Sequence, residues 1–324
     1  MKSRDYRAII IALPLAVAAF LPSLAAAQAY PVKPVRLILP YLGGTEFVGR
    51  LLAAKMSPGL GQQVVVDPRP GAGGNIGHEA VAKAPPDGYT VMLAATAFIF
   101  NPMLNSKAGY DIGRDYTYVA LAGTLPNVLA VHPTVPVKSL RELVQLARAN
   151  PGKLSYGSGP TGQTSHLAGE LFKALAKVNI LMVPYKGAVF AMTGAMGGEV
   201  DFVIPAASAV VSHYKSGRMR VLAVLDPKRL AAMPDIPTSA EAGMPQLLIA
   251  NWYAILGPAG LPKPIVDRLN AEAMKVMQSA ETREQFVNLG GEPTTGTPEQ
   301  TAAYVRSDYD RWAKIIKDAG IKGE

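Results

Sequence analysis

VRLILPYLGGTEFVGRLLAAKMSPGLGQQVVVDPRPGAGGNIGHEAVAKAPPDGYTVML, from Val35 to Leu93, is the stretch whose reading decides the fold. Val35 to Leu39 is a short apolar run, which reads as a buried strand. Pro40 stops it, and Gly43 and Gly44 turn the chain into a segment with Phe47, Val48, Leu51, Leu52 and Met56 at helical spacing. Gly59 and Gly61 close that helix, and Val64 to Val66 start a second strand. A second helix pattern follows near Gly77 to Lys83, and Tyr89 to Leu93 is a third strand. Strand, helix, strand, helix, strand predicts a parallel sheet with helices on its faces. Ligands of such sheets gather at the carboxyl ends of the strands. The loop Leu42-Gly43-Gly44-Thr45-Glu46 lies at that end of the first strand and is expected to form one wall of a ligand site.

Outward from this stretch, the 324 residues suggest two domains. The N-terminus reads as an export signal. Lys2, Arg4 and Arg7 form a basic start, Ala8 to Leu21 is apolar, and Ala25-Ala26-Ala27 offers cleavage after Ala27. Pro14 and Pro22 and the short apolar run argue against a membrane anchor. There is no cysteine, which removes thiol catalysis, disulfides and zinc-thiolate sites. The net charge is +8; the first 27 residues hold three basic residues against Asp5, so +6 remains after cleavage. No basic cluster is interleaved with aromatics, so nucleic acid is not an expected partner. A mildly basic exported protein suits anionic solutes.

Gly71, Gly73 and Gly77 invite a dinucleotide reading, but G-x-G-x-x-x-G is the wrong spacing, and Pro68 and Pro70 break the required tight turn. A glycine loop packed close to the sheet is the better reading. Further on, Ser139 is expected to cap a helix, with Glu142 completing a capping box. Leu154 to Gly157 is a strand, and SGPTGQTSHLAGELFKAL repeats the layout of strand, glycine loop and helix seen at the first wall. Helices are expected over Ile265 to Ser279 and Pro298 to Asp318. The sequence contains no internal repeat, low-complexity segment or long linker.

YPVKPVRLILPY, GQQVVVDPRPGAGGNIGHEAVAKAPPDGYTVML, NPGKLSYGSG, SHLAGELF, VPYKG and NWYAILGPAGLP together resemble one family, the periplasmic solute-binding proteins of tripartite tricarboxylate transporters (Bug or TctC-like). The resemblance runs in collinear order from Tyr30 to Ala319. It implies a two-domain periplasmic-binding-protein fold of type II, each domain a mainly parallel sheet flanked by helices, closing around a small carboxylate. It implies no catalysis and no cofactor. Domain I is expected to comprise residues 28–127 and 251–324, and domain II residues 128–250. Transporter subunits are the implied partners, and a monomer is expected; a periplasmic ligand sensor is the alternative.

The case for anion binding also stands on physical grounds. A helix N-terminus leaves backbone N–H groups unpaired, and its dipole favours negative charge. Two such termini, after LGGT and after TGQT, are expected to face one cleft. Thr45, Thr96, Gln163, Thr164 and Ser165 supply candidate side chains, with Gly43, Gly44, Gly159 and Gly162 allowing close approach. Tyr41, Leu42, Pro205 and Ala206 are candidates for the apolar lining. His166, Tyr185 and Lys186 belong to the family motifs beside the second loop, and Lys186 reads equally as a rim contact or a solvated lysine. Thr96 reads also as a helix cap.

The chain departs from the family pattern in two loops. An acid follows Gly43-Gly44 after two positions, not three, so Glu46 either replaces the family's aspartate or merely complements the helix dipole. Gln163 stands where the family has a serine or threonine. Met182 and Phe190 replace a histidine and a proline, which favours a ligand with an apolar or aromatic body. A hydrolase is the remaining class. No G-x-S-x-G occurs, Ser158 lacks the elbow pattern, and adjacent Ser165 and His166 do not face each other on a helix. Asp115 and Asp201 are not paired as acid and base, and histidines 78, 132, 166 and 213 share no metal-ligand spacing.

Overall fold

The computed structural model describes residues 30–105 and 108–323. The expected export segment, residues 1–27, lies outside them. The chain opens with β1 (Val35–Leu39), α1 (Gly44–Leu60), β2 (Val64–Pro68), α2 (Asn75–Ala82), β3 (Thr90–Ala95), α3 (Ala97–Leu104) and β4 (Tyr116–Pro126). A second run follows: β5 (Val128–Val131), α4 (Leu140–Ala149), β6 (Ser155–Ser158), α5 (Thr164–Ala176), β7 (Leu181–Pro184), α6 (Ala188–Met196), β8 (Phe202–Val203), α7 (Val211–Lys215) and β9 (Arg220–Val224). The chain ends with β10 (Ala250–Pro258), α8 (Lys263–Gln278), α9 (Ala280–Asn288) and α10 (Pro298–Ala319). Two five-stranded sheets result, ordered β2-β1-β3-β10-β4 and β7-β6-β8-β5-β9.

Both sheets are mainly parallel, as expected, and each is made mixed by one antiparallel strand. β1 runs parallel to β2 and β3, whereas β10 is antiparallel to β3 and β4. In the second sheet β6 runs parallel to β7 and β8, whereas β5 is antiparallel to β8 and β9. Each sheet therefore has a single reversed strand, β10 or β5. Each is the first strand after the chain passes from one sheet to the other. The other strands end towards the junction, so a strand entering from the junction has to run the opposite way.

The junction is closed by a ring of backbone hydrogen bonds. Asn127 N–H donates to Ile249 O (3.2 Å), Ile249 N–H to Leu225 O (3.0 Å), and Leu225 N–H to Asn127 O (2.8 Å). Three chain segments thereby satisfy one another's buried polar groups without a continuous sheet.

The core follows strand alternation. On β5, Leu129 and Val131 join the large cluster shared with the first sheet, while Val128 and Ala130 face a second cluster with Val203, Val221 and Met233. Successive side chains of a strand point to opposite faces, so a strand covered on both sides must be apolar throughout. The expected cap of α4 is present, since Ser139 Oγ accepts from Glu142 N–H at 3.2 Å. The box closes one residue early, because the Glu142 carboxylate accepts from Lys138 N–H (2.7 Å) rather than from the cap itself.

Candidate functional site

The first wall grows from the end of β1. Pro40 cannot extend the ladder, and Gly43 at φ 83° turns the chain into α1. Gly43 O accepts from Phe47 N–H (3.1 Å), which starts the helix. The N–H groups of the first turn have no intrahelical acceptor. Gly44 is required here by a close approach: a methyl group on it would lie 2.4 Å from Tyr253 Oη. Thr45 is buried, Leu42 is 57% exposed, and Glu46 is bound by Arg50 one turn along the helix (2.7 Å). The Glu46 carboxylate is thus already paired on the helix face.

The neighbouring loop of residues 71–74 carries positive φ at each residue. A side chain on Gly74 would strike the Tyr41 ring at 2.5 Å, so this glycine serves packing. Asn101 Nδ2 donates to Gly73 O (2.9 Å) and to Asn75 Oδ1 (2.7 Å) and holds the loop. Tyr41 is itself buried, with its hydroxyl 3.3 Å from His78 Nε2. Burial depresses the His78 pKa to about 3, so this ring is neutral.

The second wall grows from the end of β6. Gly159 N–H donates to Ser165 Oγ (3.0 Å), which also lies 3.2 Å from Ser158 Oγ. Gly162 N–H donates to His166 Nδ1 (3.4 Å). Ser165 and His166 therefore tie the glycine loop back onto α5. Gln163 is the cap residue of α5, and its side chain makes no capping bond. Tyr185 donates its hydroxyl to Glu199 (2.9 Å), and Lys186 is exposed. Val189 and Phe190 at the start of α6 are 56% and 57% exposed.

Loops from the two sheets meet here. A Cβ built on Gly43 would lie 3.8 Å from Val189 Cγ2, and one on Gly162 would lie 3.6 Å from Asn101 Oδ1. At the back, Val128 N–H donates to Pro205 O (3.0 Å), and Ala206 bridges to Asn127. Pro205 and Ala206 thus sit at the junction between the sheets. Thr96 is fully buried and does not cap α3. Its hydroxyl donates to Ala250 O (3.1 Å) and accepts from Trp252 N–H (2.8 Å), fastening β3 to β10. Met182 lies half-buried against the core on β7.

The candidate side chains therefore divide. Ser165, His166, Tyr185 and Thr96 are occupied in holding loops and strands. Those of Thr45, Gln163 and Thr164 have no hydrogen-bond partner among the described residues and stand beside two helix N-termini. A helix N-terminus can hold an anion without a lysine or arginine. Three residues beside this site had no assigned role in the sequence reading: Tyr253, Asn101 and Val189. The signal for Tyr253 was present in NWYAILGPAGLP, whose return to the first sheet was foreseen. Among the described residues no group of His, Asp or Glu is arranged to hold a metal ion, and no helix is long and apolar enough to cross a membrane.

Known proteins match this chain in sequence and in fold. A family model described as the tripartite tricarboxylate transporter family receptor (TctC) matches residues 48–321. Protein BugT of Bordetella pertussis is 34% identical over 300 residues, covering 91% of this chain and 92% of its own. R. palustris Rpa4515, solved with adipate, superposes with a TM-score of 0.87 at 35% identity, covering 91% of this chain and all (100%) of its own. MatC (Rpa3494) from Rhodopseudomonas palustris, solved with bound malate, gives a TM-score of 0.82 at 28% identity, covering 89% of this chain and 100% of its own.

Proposed function

The chain belongs to the tripartite tricarboxylate transporter family of receptors, and from that premise we propose that it captures a small organic carboxylate between its two domains and delivers it to the membrane subunits of such a transporter. In this reading residues 1–27 direct export and are removed, and the mature monomer works in the periplasm. Domain I comprises residues 28–127 and 251–324, domain II residues 128–250, and the two crossings act as a hinge for closure on ligand. The observation that supports the reading is that the glycine loops before α1 and α5 each lie against the opposite sheet's elements, Gly43 beside Val189 of α6 and Gly162 beside Asn101 of α3.

The lips of this cleft favour a ligand with an apolar body. Leu42 on one side and Val189 and Phe190 on the other are all more than half exposed, and a chain of methylenes or a ring would cover them. Two similar proteins were solved with adipate and malate, so those acids define the test. A thermal-shift panel of adipate, malate, citrate, an aromatic acid and neutral amide analogues separates the cases. An acid at ~100 times its dissociation constant should stabilise the protein by about 2.7 kcal/mol. Amide analogues should lose most of that shift, because helix termini favour the anion. Equal shifts from acid and amide would remove the helix-terminus account.

A further inference from the structure

Tyr253 lies in the middle of β10, in the sheet opposite α5, and is only 2% exposed. Its ring is packed in the core, yet its hydroxyl has no hydrogen-bond partner among the described residues. The oxygen is not among the polar atoms sealed from solvent. It reaches the first residue of α1: the methyl that Gly44 lacks would stand 2.4 Å from Oη, whereas the ring carbon Cζ would be 3.5 Å away. An almost buried phenol thus ends with its one polar atom at the mouth of a seventeen-residue helix. The hydroxyl of a tyrosine whose ring is buried ordinarily finds a hydrogen-bond partner. Its neighbour here is the first residue of α1, the helix end at which an anion is favoured.

We propose that Tyr253 Oη is a ligand-binding group that donates a hydrogen bond to the same carboxylate as the first-turn N–H groups of α1. This rests on the carboxylate reading above and adds a side chain that the loop motifs do not contain. Burial raises the Tyr253 pKa, so the hydroxyl remains a proton donor throughout the physiological range. A donor on a rigid strand, wedged under Gly44, discriminates by position: it serves a carboxylate seated on the α1 terminus and is left unpaired by a ligand that lacks one. Gly44 and Tyr253 then form one unit, the glycine leaving room for the oxygen and the oxygen completing the ring of donors.

Tyr253→Phe removes the oxygen and keeps the ring. Titration calorimetry of the mature protein with adipate and with malate, wild type against Y253F, reads the effect directly. For either acid that binds the wild type, Y253F should raise Kd about tenfold or more, as expected for loss of a hydrogen bond to a charged group. The ligand-free variant should melt no lower than wild type, since no protein partner is lost. Unchanged affinity would overturn the role of Tyr253 and leave the carboxylate reading standing. Absence of binding by the wild type across the whole acid panel would overturn both. A ligand-free variant that melts well below wild type, with affinity unchanged, would mark the hydroxyl as structural.

Discussion

Asn251 Nδ2 donates to Asn127 Oδ1 at 2.8 Å, joining the two residues at which the chain leaves the first sheet and returns to it. Asn127 is 1% exposed, and its own Nδ2 donates to Ile204 O in the second sheet (3.0 Å). One buried amide thus touches both crossings and both sheets. A buried amide whose oxygen and nitrogen are both hydrogen-bonded holds these segments in one fixed arrangement.

Asn251→Ala should leave Asn127 Oδ1 without its donor. The expected cost is about 1–3 kcal/mol, the usual penalty for stranding a buried polar atom. Urea unfolding measures it; a midpoint equal to wild type with an unchanged slope would show that the pair holds nothing.

The contact between Gly44 and Tyr253 predicts a specific coupling. Gly44→Ala should destabilise the wild-type protein by about 1–3 kcal/mol, as overpacking does, because the buried tyrosine has little freedom to retreat. In a Tyr253→Phe background the nearest atom becomes the ring carbon at 3.5 Å, an ordinary contact, so the same alanine should cost little. A double-mutant cycle of thermal unfolding checks this, and simple additivity would contradict the placement of Oη.

Phe190 sets the third prediction. Phe190→Ser should weaken binding of a six-carbon diacid such as adipate by roughly fivefold, corresponding to ~1 kcal/mol for covering part of an exposed ring. Malate, with a shorter and more polar body, should lose less. Calorimetric titration of both acids decides; equal losses would place the ring outside the contact surface.

His78 yields a pH dependence. Its folded pKa is about 3 against an ordinary 6.5, so below about pH 6.5 the unfolded chain takes up a proton that the folded one refuses. Stability should therefore fall as pH drops from 6.5 towards 3, by up to ~1.4 kcal/mol per pH unit from this one residue. Unfolding curves of wild type and His78→Gln between pH 7 and pH 4.5 should diverge in slope, the variant falling more gently. Parallel curves would mean that His78 titrates normally in the folded protein.

Processing is testable on its own. Intact-mass measurement of periplasmic protein should find Gln28 as the first residue, and retention of Met1 in a membrane fraction would contradict export by cleavage.

Much of this protein is written locally. Pro40 ends β1 because it cannot extend the ladder, Gly61 at φ 69° ends α1 in the left-handed conformation, and Thr297 with Gln300 forms the capping box that opens α10. The glycine loops and their following helices are likewise short-range patterns, which is why the starts of α1 and α5 were legible. Ser279 ends α8 where the helix was expected to end, but the same residue caps α9, a short helix that the sequence reading did not include. What only the tertiary structure decided depends on distant pairs. The reversal of β5 and β10 follows from the direction in which the chain re-enters each sheet, which no window of sequence records. The sorting of polar candidates is also long-range. Thr96 is taken up by residues 250 and 252, Tyr185 by Glu199, and Tyr253 is left free beside Gly44, some two hundred positions away in the chain. Local propensity fixes where a hydroxyl sits on its own element; only packing fixes whether another element has already claimed it.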